Sequence, residues 1–220
     1  MSAELTGSNI KAYEGRRLTL NSMKPSNGKV AGALIFVGVV QFVLCMLVAE
    51  CLYLNYSVSK NYISDLGVGA TALIFNVSVF LLGAMVLASV YFLKQKVQSR
   101  ILLGFLALCG VGAMGVGIFP ENSPYMLHTV FSLIAFLFAA LSAIASYKIQ
   151  KSPMSYFAVI LGLMALAALI LFVYSETFVN MGGASEAAFY LGLGKGGLER
   201  MIVYPVLLWA AGFGGYLTKE

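Results

Sequence analysis

Long apolar runs separated by short polar segments dominate the chain. Six runs are long enough to cross a membrane, at about 30–54, 71–93, 101–119, 128–147, 156–174 and 199–217. A membrane-spanning helix needs about 20 mostly apolar residues. The strands of a membrane barrel would instead alternate apolar and polar residues over about ten positions, whereas the runs here are continuous. The pattern therefore predicts an all-α fold, a bundle of six transmembrane helices.

The segments outside these runs are polar, and most are short. Residues 1–29 predict a flexible N-terminal tail, and residues 218–220 predict a C-terminal tail. Residues 30–217 then form one six-helix transmembrane domain.

Composition excludes a soluble protein. The 220 residues are 60% hydrophobic and 10% charged, whereas soluble domains average about 45–50% apolar and about 25% charged residues. Charged side chains are therefore too few to cover a surface in water. The three cysteines lie within the apolar runs and cannot form a disulfide framework.

Charged residues are distributed unevenly between the two ends of the predicted helices. Eleven of the 14 lysines and arginines lie in the two tails and in the loops that follow the second and fourth runs. By the positive-inside rule, this distribution predicts a cell-membrane protein with both termini in the cytoplasm. Its basic inner face suits anionic lipids rather than nucleic acid. Six of the nine acidic residues and the single histidine lie at the opposite end, so a chemical site would open outward.

Two residues at this outer end are candidate catalytic residues. Asp65 precedes the second run and is either a general base or a cap that accepts from free backbone amides. His128 is either a hydrogen-bonded structural residue or an acid–base group. It begins a helical face of small residues: Ser132, Ala135, Ala139, Ser142 and Ser146. The spacing of that face predicts a packing surface with His128 at its open end.

Other polar residues at the outer end are candidates for binding a substrate: Asn61, Ser64, Asn76, Glu121, Glu199 and Arg200. Asn76 lies within the second run, where an amide either bonds to a neighbouring helix or contacts a substrate. Arg200 either holds a phosphate or carboxylate or anchors a helix end. It is adjacent to Glu199, so the two side chains point in different directions and should have different partners.

Glu50 lies four residues before the end of the first run. A carboxylate at that depth should be protonated, paired or in a polar cavity, unless it reaches the lipid headgroups.

No metal or cofactor is predicted. The acids and the histidine contain no close pair at metal-ligand spacing. The stretch Gly110–Gly115 matches a dinucleotide-binding fingerprint in its letters, but it lies inside an apolar run with no preceding strand. Its glycines instead predict close helix packing, and such faces are also candidates for contact with a second copy or a partner membrane protein.

Several of these positions together resemble a known family. The segments and residues in question are Asn61–Gly67, Phe75–Asn76, Phe119–Pro120, His128, Glu199–Arg200 and Trp209. They resemble the family called "domain of unknown function 998", which consists of six-helix membrane proteins of bacteria and archaea. The segment Ile63–Gly67 is also distantly similar to the Frag/DRAM/Sfk group of eukaryotic membrane proteins. The first resemblance implies no assigned activity, and the second implies work on membrane lipids. Glu121 lies outside the segments that carry the resemblance, and it is a candidate only because it is close to them in the sequence, directly after Pro120.

Three functions remain open at this point. The first is an outward-facing polar pocket that binds or modifies a lipid headgroup or lipid-linked substrate, with membrane lipids as its partners. There, Asp65 and His128 would supply acid–base capacity, and Arg200 with Asn61 would hold an anionic group. The second is a small-solute or ion transporter, which the scarcity of polar residues at mid-span disfavours. The third is a non-catalytic membrane scaffold. The sequence does not decide whether the protein is an enzyme.

Overall fold

A computed structural model describes residues 26–180 and 190–219. These ranges contain six helices that are long and apolar enough to cross a membrane. They are α1 (Asn27–Leu52), α2 (Ala72–Leu93), α3 (Arg100–Ile118), α4 (Leu127–Ala145), α5 (Met154–Asn180) and α6 (Gly194–Lys219). The described residues form no strand. The predicted all-α fold with six membrane-spanning helices is confirmed, and the chain is a multi-pass membrane protein.

The helix ends differ from the apolar runs by a few residues. α1 begins at Asn27 because the hydroxyl of Ser26 accepts from the backbone amide of Lys29 at 3.4 Å, which caps the helix. α6 begins at Gly194, before its apolar run, and it continues to Lys219 through most of the expected C-terminal tail. The expected N-terminal tail lies outside the described residues as far as residue 25.

The helices are arranged as a ring. Each helix packs against its neighbours in sequence, and α1 closes the ring against α6. α4 and α6 also contact each other directly, so α5 packs across the outside of this pair. The space inside the bundle is therefore surrounded by α1, α2, α3, α4 and α6.

Glycines bring neighbouring helices into close contact. A β-carbon on Gly83 of α2 would lie 2.5 Å from the carbonyl oxygen of Gly110 in α3, and one on Gly110 would lie 2.9 Å from that of Gly83. Gly32 of α1 and Gly214 of α6 form a second reciprocal pair. These glycines are used in contacts within the bundle. Contact of glycine-rich faces with another protein stays a prediction.

The small-residue face of α4 points into the bundle, as its spacing predicted. His128, Ala135, Ser142 and Ser146 are all buried. At the far end of this face, the Ser146 hydroxyl accepts from the indole nitrogen of Trp209 at 3.0 Å. This packing orients α4 so that His128 lies at one end of the bundle interior.

Candidate functional site

The predicted site residues lie at one end of the bundle, where α1, α3 and α5 finish and α2, α4 and α6 begin. We call this the polar end. It contains the loop between α1 and α2 (residues 53–71) and the loop between α3 and α4 (residues 119–126).

Arg200 holds the α1–α2 loop against α6. Its side chain is 5% exposed, and one terminal nitrogen donates to the Glu50 carboxylate at 2.5 Å and to the Tyr56 hydroxyl at 2.6 Å. The other donates to the carbonyl oxygens of Val58 at 3.0 Å and Gly196 at 2.9 Å. Of the three guanidinium nitrogens, Nε is the one without a hydrogen-bond partner in the described part of the chain. Glu50 is paired, which was one of the alternatives for a carboxylate at this depth. Both terminal nitrogens of Arg200 are engaged within the protein rather than open to an anionic substrate.

Tyr56 strengthens the same contact. Burial raises the pKa of the Tyr56 hydroxyl to about 12, although the neighbouring Arg200 opposes this shift. The neutral phenol donates to the carbonyl oxygen of Tyr62 at 3.0 Å. Its ring centroid lies 5.6 Å from the guanidinium carbon of Arg200, within cation–π range. The loop is thereby fixed along its length.

Asn61 and Asp65 stabilise the turn before α2. The Asn61 side chain accepts from the backbone amide of Ser57 at 3.0 Å and donates to Asp65 Oδ2 at 2.8 Å. The same Asp65 oxygen accepts from the backbone amide of Tyr62 at 3.0 Å. Binding a free backbone amide was one of the two interpretations of Asp65. Asn61 is occupied on both sides of its amide, so it positions Asp65 within the loop.

Glu121 brings a second carboxyl group to Asp65. Its Oε2 accepts from the Ser64 hydroxyl at 3.4 Å. Loss of hydration around the carboxyl and a hydrogen bond from it to Asp65 raise the pKa of Glu121 to about 7. The Glu121 carboxyl can therefore take up or release a proton near neutral pH. In the described part of the chain, no three histidine, cysteine or acidic residues are grouped to hold a metal ion.

Glu199 and His128 are buried beside this pair of loops. Glu199 is 5% exposed, and one of its carboxyl oxygens accepts from the backbone amide of Ile63. His128 is 8% exposed, and its Nδ1 lies 2.8 Å from the carbonyl oxygen of Phe119. A neutral ring that donates from Nδ1 keeps Nε2 as an acceptor. The second Glu199 oxygen and His128 Nε2 have no hydrogen-bond partner among the described residues.

Asn76 joins α2 to the turn that precedes it. Its Nδ2 donates to the carbonyl oxygen of Gly67 at 2.9 Å, while its buried Oδ1 has no partner among the described residues. A β-carbon on Gly67 would lie 2.6 Å from that oxygen, so a glycine is needed for this close approach. The Asn76 side chain thus contacts a loop rather than a neighbouring helix.

A long apolar cavity extends from the polar end into the bundle. It has a volume of about 120 Å³ and is lined by the five inner helices together with Ile63 and Ser64. Along α6 the lining runs from Glu199 to Ala210, which is about 16 Å at 1.5 Å per residue. Ser64, His128 and Glu199 make one end polar, and most other lining residues are apolar. The sequence predicted a polar pocket, whereas this cavity is polar only at its end.

A second polar cluster at this end was missed by the sequence analysis. Glu176 of α5 accepts from the hydroxyls of Tyr62 at 2.6 Å and Tyr190 at 2.9 Å. The Lys195 ammonium lies 4.2 Å from the centroid of the Tyr62 ring. Burial and the bond to Glu176 raise the pKa of the Tyr62 hydroxyl. None of these residues lines the cavity, so the cluster joins α5 to the α1–α2 loop. Its only signal in the sequence is an acid at the end of an apolar run.

The comparisons with known proteins identify the family. The sequence model of the family described as "Protein of unknown function (DUF998)" matches residues 36–215. This range covers most of the chain and the whole site described above, so the chain belongs to the DUF998 family, and the resemblance seen in the sequence is confirmed. No curated protein and no solved structure matches the chain. The distant similarity to the Frag/DRAM/Sfk group stays a prediction.

Proposed function

We propose that this member of the DUF998 family binds the hydrocarbon chain of a membrane amphiphile in its central cavity and the amphiphile's head at the polar end. The observation that supports this function is the cavity itself, whose lining extends along five helices and is mostly apolar, with polar side chains at one end. Water occupies an apolar cavity poorly, and such cavities bind apolar molecules instead.

The length of the cavity suits one chain from one leaflet. The lining extends about 16 Å along α6, from Glu199 to Ala210. The hydrocarbon core of a bilayer is about 30 Å thick, so one leaflet contributes about 15 Å. A chain that extends along this lining from the polar end would therefore stay within its own leaflet. Because the cavity volume is about 120 Å³, the lining side chains would have to move apart to admit the full chain. With both termini in the cytoplasm, as the charge distribution favours, that leaflet is the outer one.

The site residues divide into two groups under this proposal. Ser64, Glu199 and His128 line the cavity end and would contact the head of the amphiphile, with Asp65 and Glu121 beside them as a source or acceptor of a proton. Asn61, Asn76 and Arg200 hold the α1–α2 loop and position this first group. A bound head therefore lies next to groups able to transfer a proton, which is the chemistry that a lipid-modifying enzyme would need.

The test is mass spectrometry of the lipids that co-purify with the protein in a mild detergent. Ala139 of α4 lines the cavity, whereas Val130 on the same helix is exposed on the outer surface. We expect one class of amphiphile to be enriched with the wild type and with Val130→Leu, and to be lost from folded Ala139→Leu. An unselective lipid profile that is identical for all three proteins would overturn the proposal and leave transport or scaffolding.

A further inference from the structure

The polar end offers hydrogen-bond acceptors to the cavity. The second carboxyl oxygen of Glu199 and Nε2 of His128 belong to cavity-lining side chains that are more than nine-tenths buried, and the described residues give neither atom a partner. Neither atom is among the fully enclosed atoms that lack a partner in the described part of the chain, but an occupant that excludes water without offering a donor would leave both unpaired, at a cost of about 1–3 kcal/mol each. A matching occupant must therefore bring hydrogen-bond donors.

Positive charge at this end is directed away from the cavity. The described residues there include three cations, Lys60, Lys195 and Arg200, and none of them lines the cavity. Arg200 is paired with Glu50, and Lys195 lies over the ring of Tyr62. Lys60 is exposed in the α1–α2 loop. A phosphate or carboxylate at the cavity end would thus lose its hydration without gaining a counter-charge.

Negative charge faces the opposite way. Glu199 lines the cavity, and the Asp65–Glu121 pair lies beside Ser64, which also lines it. One carboxyl oxygen of Glu199 accepts from the amide of Ile63, which leaves the other oxygen for a cationic donor in the cavity. A carboxylate in a place of low dielectric constant attracts a cation more strongly than it would in water.

We propose that the head held at this end is a protonated primary amine on a single hydrocarbon chain, which would donate to Glu199 and His128. This inference rests on the proposed function, because the cavity must first accept a chain. The inference goes beyond the proposed function by naming the chemistry of the head. A cationic head replaces the anionic head that was expected from the sequence. A neutral alcohol would satisfy the acceptors but not the charge, and a phosphate would satisfy neither.

Cys109 provides a reporter for the test, because it is the one cysteine that lines the cavity among the described residues. In protein carrying Cys45→Ser and Cys51→Ser, N-ethylmaleimide should alkylate Cys109 slowly, over hours at about pH 8, because only the thiolate reacts and a thiol in apolar surroundings reacts poorly. An occupant should slow this measured baseline rate further. The probes are dodecylamine, dodecanol and dodecyl phosphate, which share one chain length. Alkylation is followed by mass spectrometry of the intact protein at increasing probe concentration.

We expect half-protection by dodecylamine at a concentration at least tenfold lower than by dodecyl phosphate, with dodecanol between them. Glu199→Gln should raise the value for dodecylamine about tenfold and leave that for dodecanol unchanged. The control Glu176→Gln removes a carboxyl group that lies at the same end but does not line the cavity. This control should change the half-protection concentration of neither dodecylamine nor dodecanol. If Glu199→Gln fails to fold, the order of the three half-protection concentrations in protein with native Glu199 still tests the amine head. Equal protection by all three probes, or strongest protection by the phosphate, would overturn the amine head while chain binding stands. Protection by none would overturn the proposed function as well.

Discussion

Replacement of Arg200 by methionine tests how the polar end is held together. The change removes the contacts of 2.5 Å to Glu50 and 2.6 Å to the Tyr56 hydroxyl. The Glu50 side chain is 16% exposed, so its carboxylate would stay largely buried without a partner. Removing one member of a buried ion pair costs about 3–5 kcal/mol. The carbonyl of Val58 lies in an exposed segment, where water can replace the lost bond. We therefore expect the lower end of the range, about 3 kcal/mol.

Thermal unfolding in a single detergent measures this effect. For a chain of this size, 1 kcal/mol moves the midpoint by about 2–4 °C, so Arg200→Met should lower it by about 6–12 °C. The double variant with Glu50→Gln removes the stranded carboxylate and should regain part of the loss. Arg100→Met changes an exposed arginine at the opposite end and should move the midpoint by no more than about 1–2 °C. An Arg200→Met protein as stable as the wild type would refute the clamping role of Arg200.

Three further predictions concern packing, pH and orientation. A methyl group on Gly196 would meet backbone oxygens of the α1–α2 loop, so Gly196→Ala should abolish monodisperse protein in gel filtration, whereas Gly215→Ala meets no atom within 4 Å and should not. The pKa of Glu121 is raised from 4.5 to about 7, so its contribution to stability is complete below about pH 4.5 and is lost as the pH rises through about 7. Glu121→Gln should remove that part of the pH dependence of the melting midpoint. A variant whose midpoint depends on pH as the wild type's does would contradict this role of Glu121. In a chain without other cysteines, an impermeant thiol reagent on intact cells should label Lys60→Cys and not Lys96→Cys, and the reverse result would place the polar end in the cytoplasm.

The six helices could be predicted because each depends on a local property, an apolar run about as long as a bilayer is thick. The start of α6 could not. Its first turn is Gly194-Lys195-Gly196-Gly197, and glycine disfavours helix by about 1 kcal/mol relative to alanine. Contacts with the α1–α2 loop stabilise this turn, including the bond from the backbone amide of Gly196 to the carbonyl oxygen of Ser59 at 3.0 Å. Such contacts are not visible in a short stretch of sequence.

The candidate site, like the helices, could be predicted only where it depends on a local sequence pattern. The orientation of the small-residue face of α4 into the bundle, with His128 at one end, followed from the spacing of that face. The partner of Arg200 did not follow, because Glu50 is 150 positions away and an arginine at a helix end looks the same whether it is paired or at the interface.

The cavity was hidden for a related reason. Its lining consists of side chains of the kind that fill a core, such as Ala113, Ala139 and Val203. Whether small residues pack closely or leave space depends on the neighbouring helix.

The most direct measurement uses Trp209, the single tryptophan in the chain, which lines the cavity and is 5% exposed. Dodecylamine carrying a bromine at the end of its chain is added to protein in lipid nanodiscs, and tryptophan fluorescence is recorded. If the cavity holds a hydrocarbon chain, quenching saturates with concentration, and Ala139→Leu abolishes the saturable part while Val130→Leu retains it. Quenching that rises without saturation and is identical in all three proteins would mean that the chain stays in the surrounding lipid, and would contradict the proposed function.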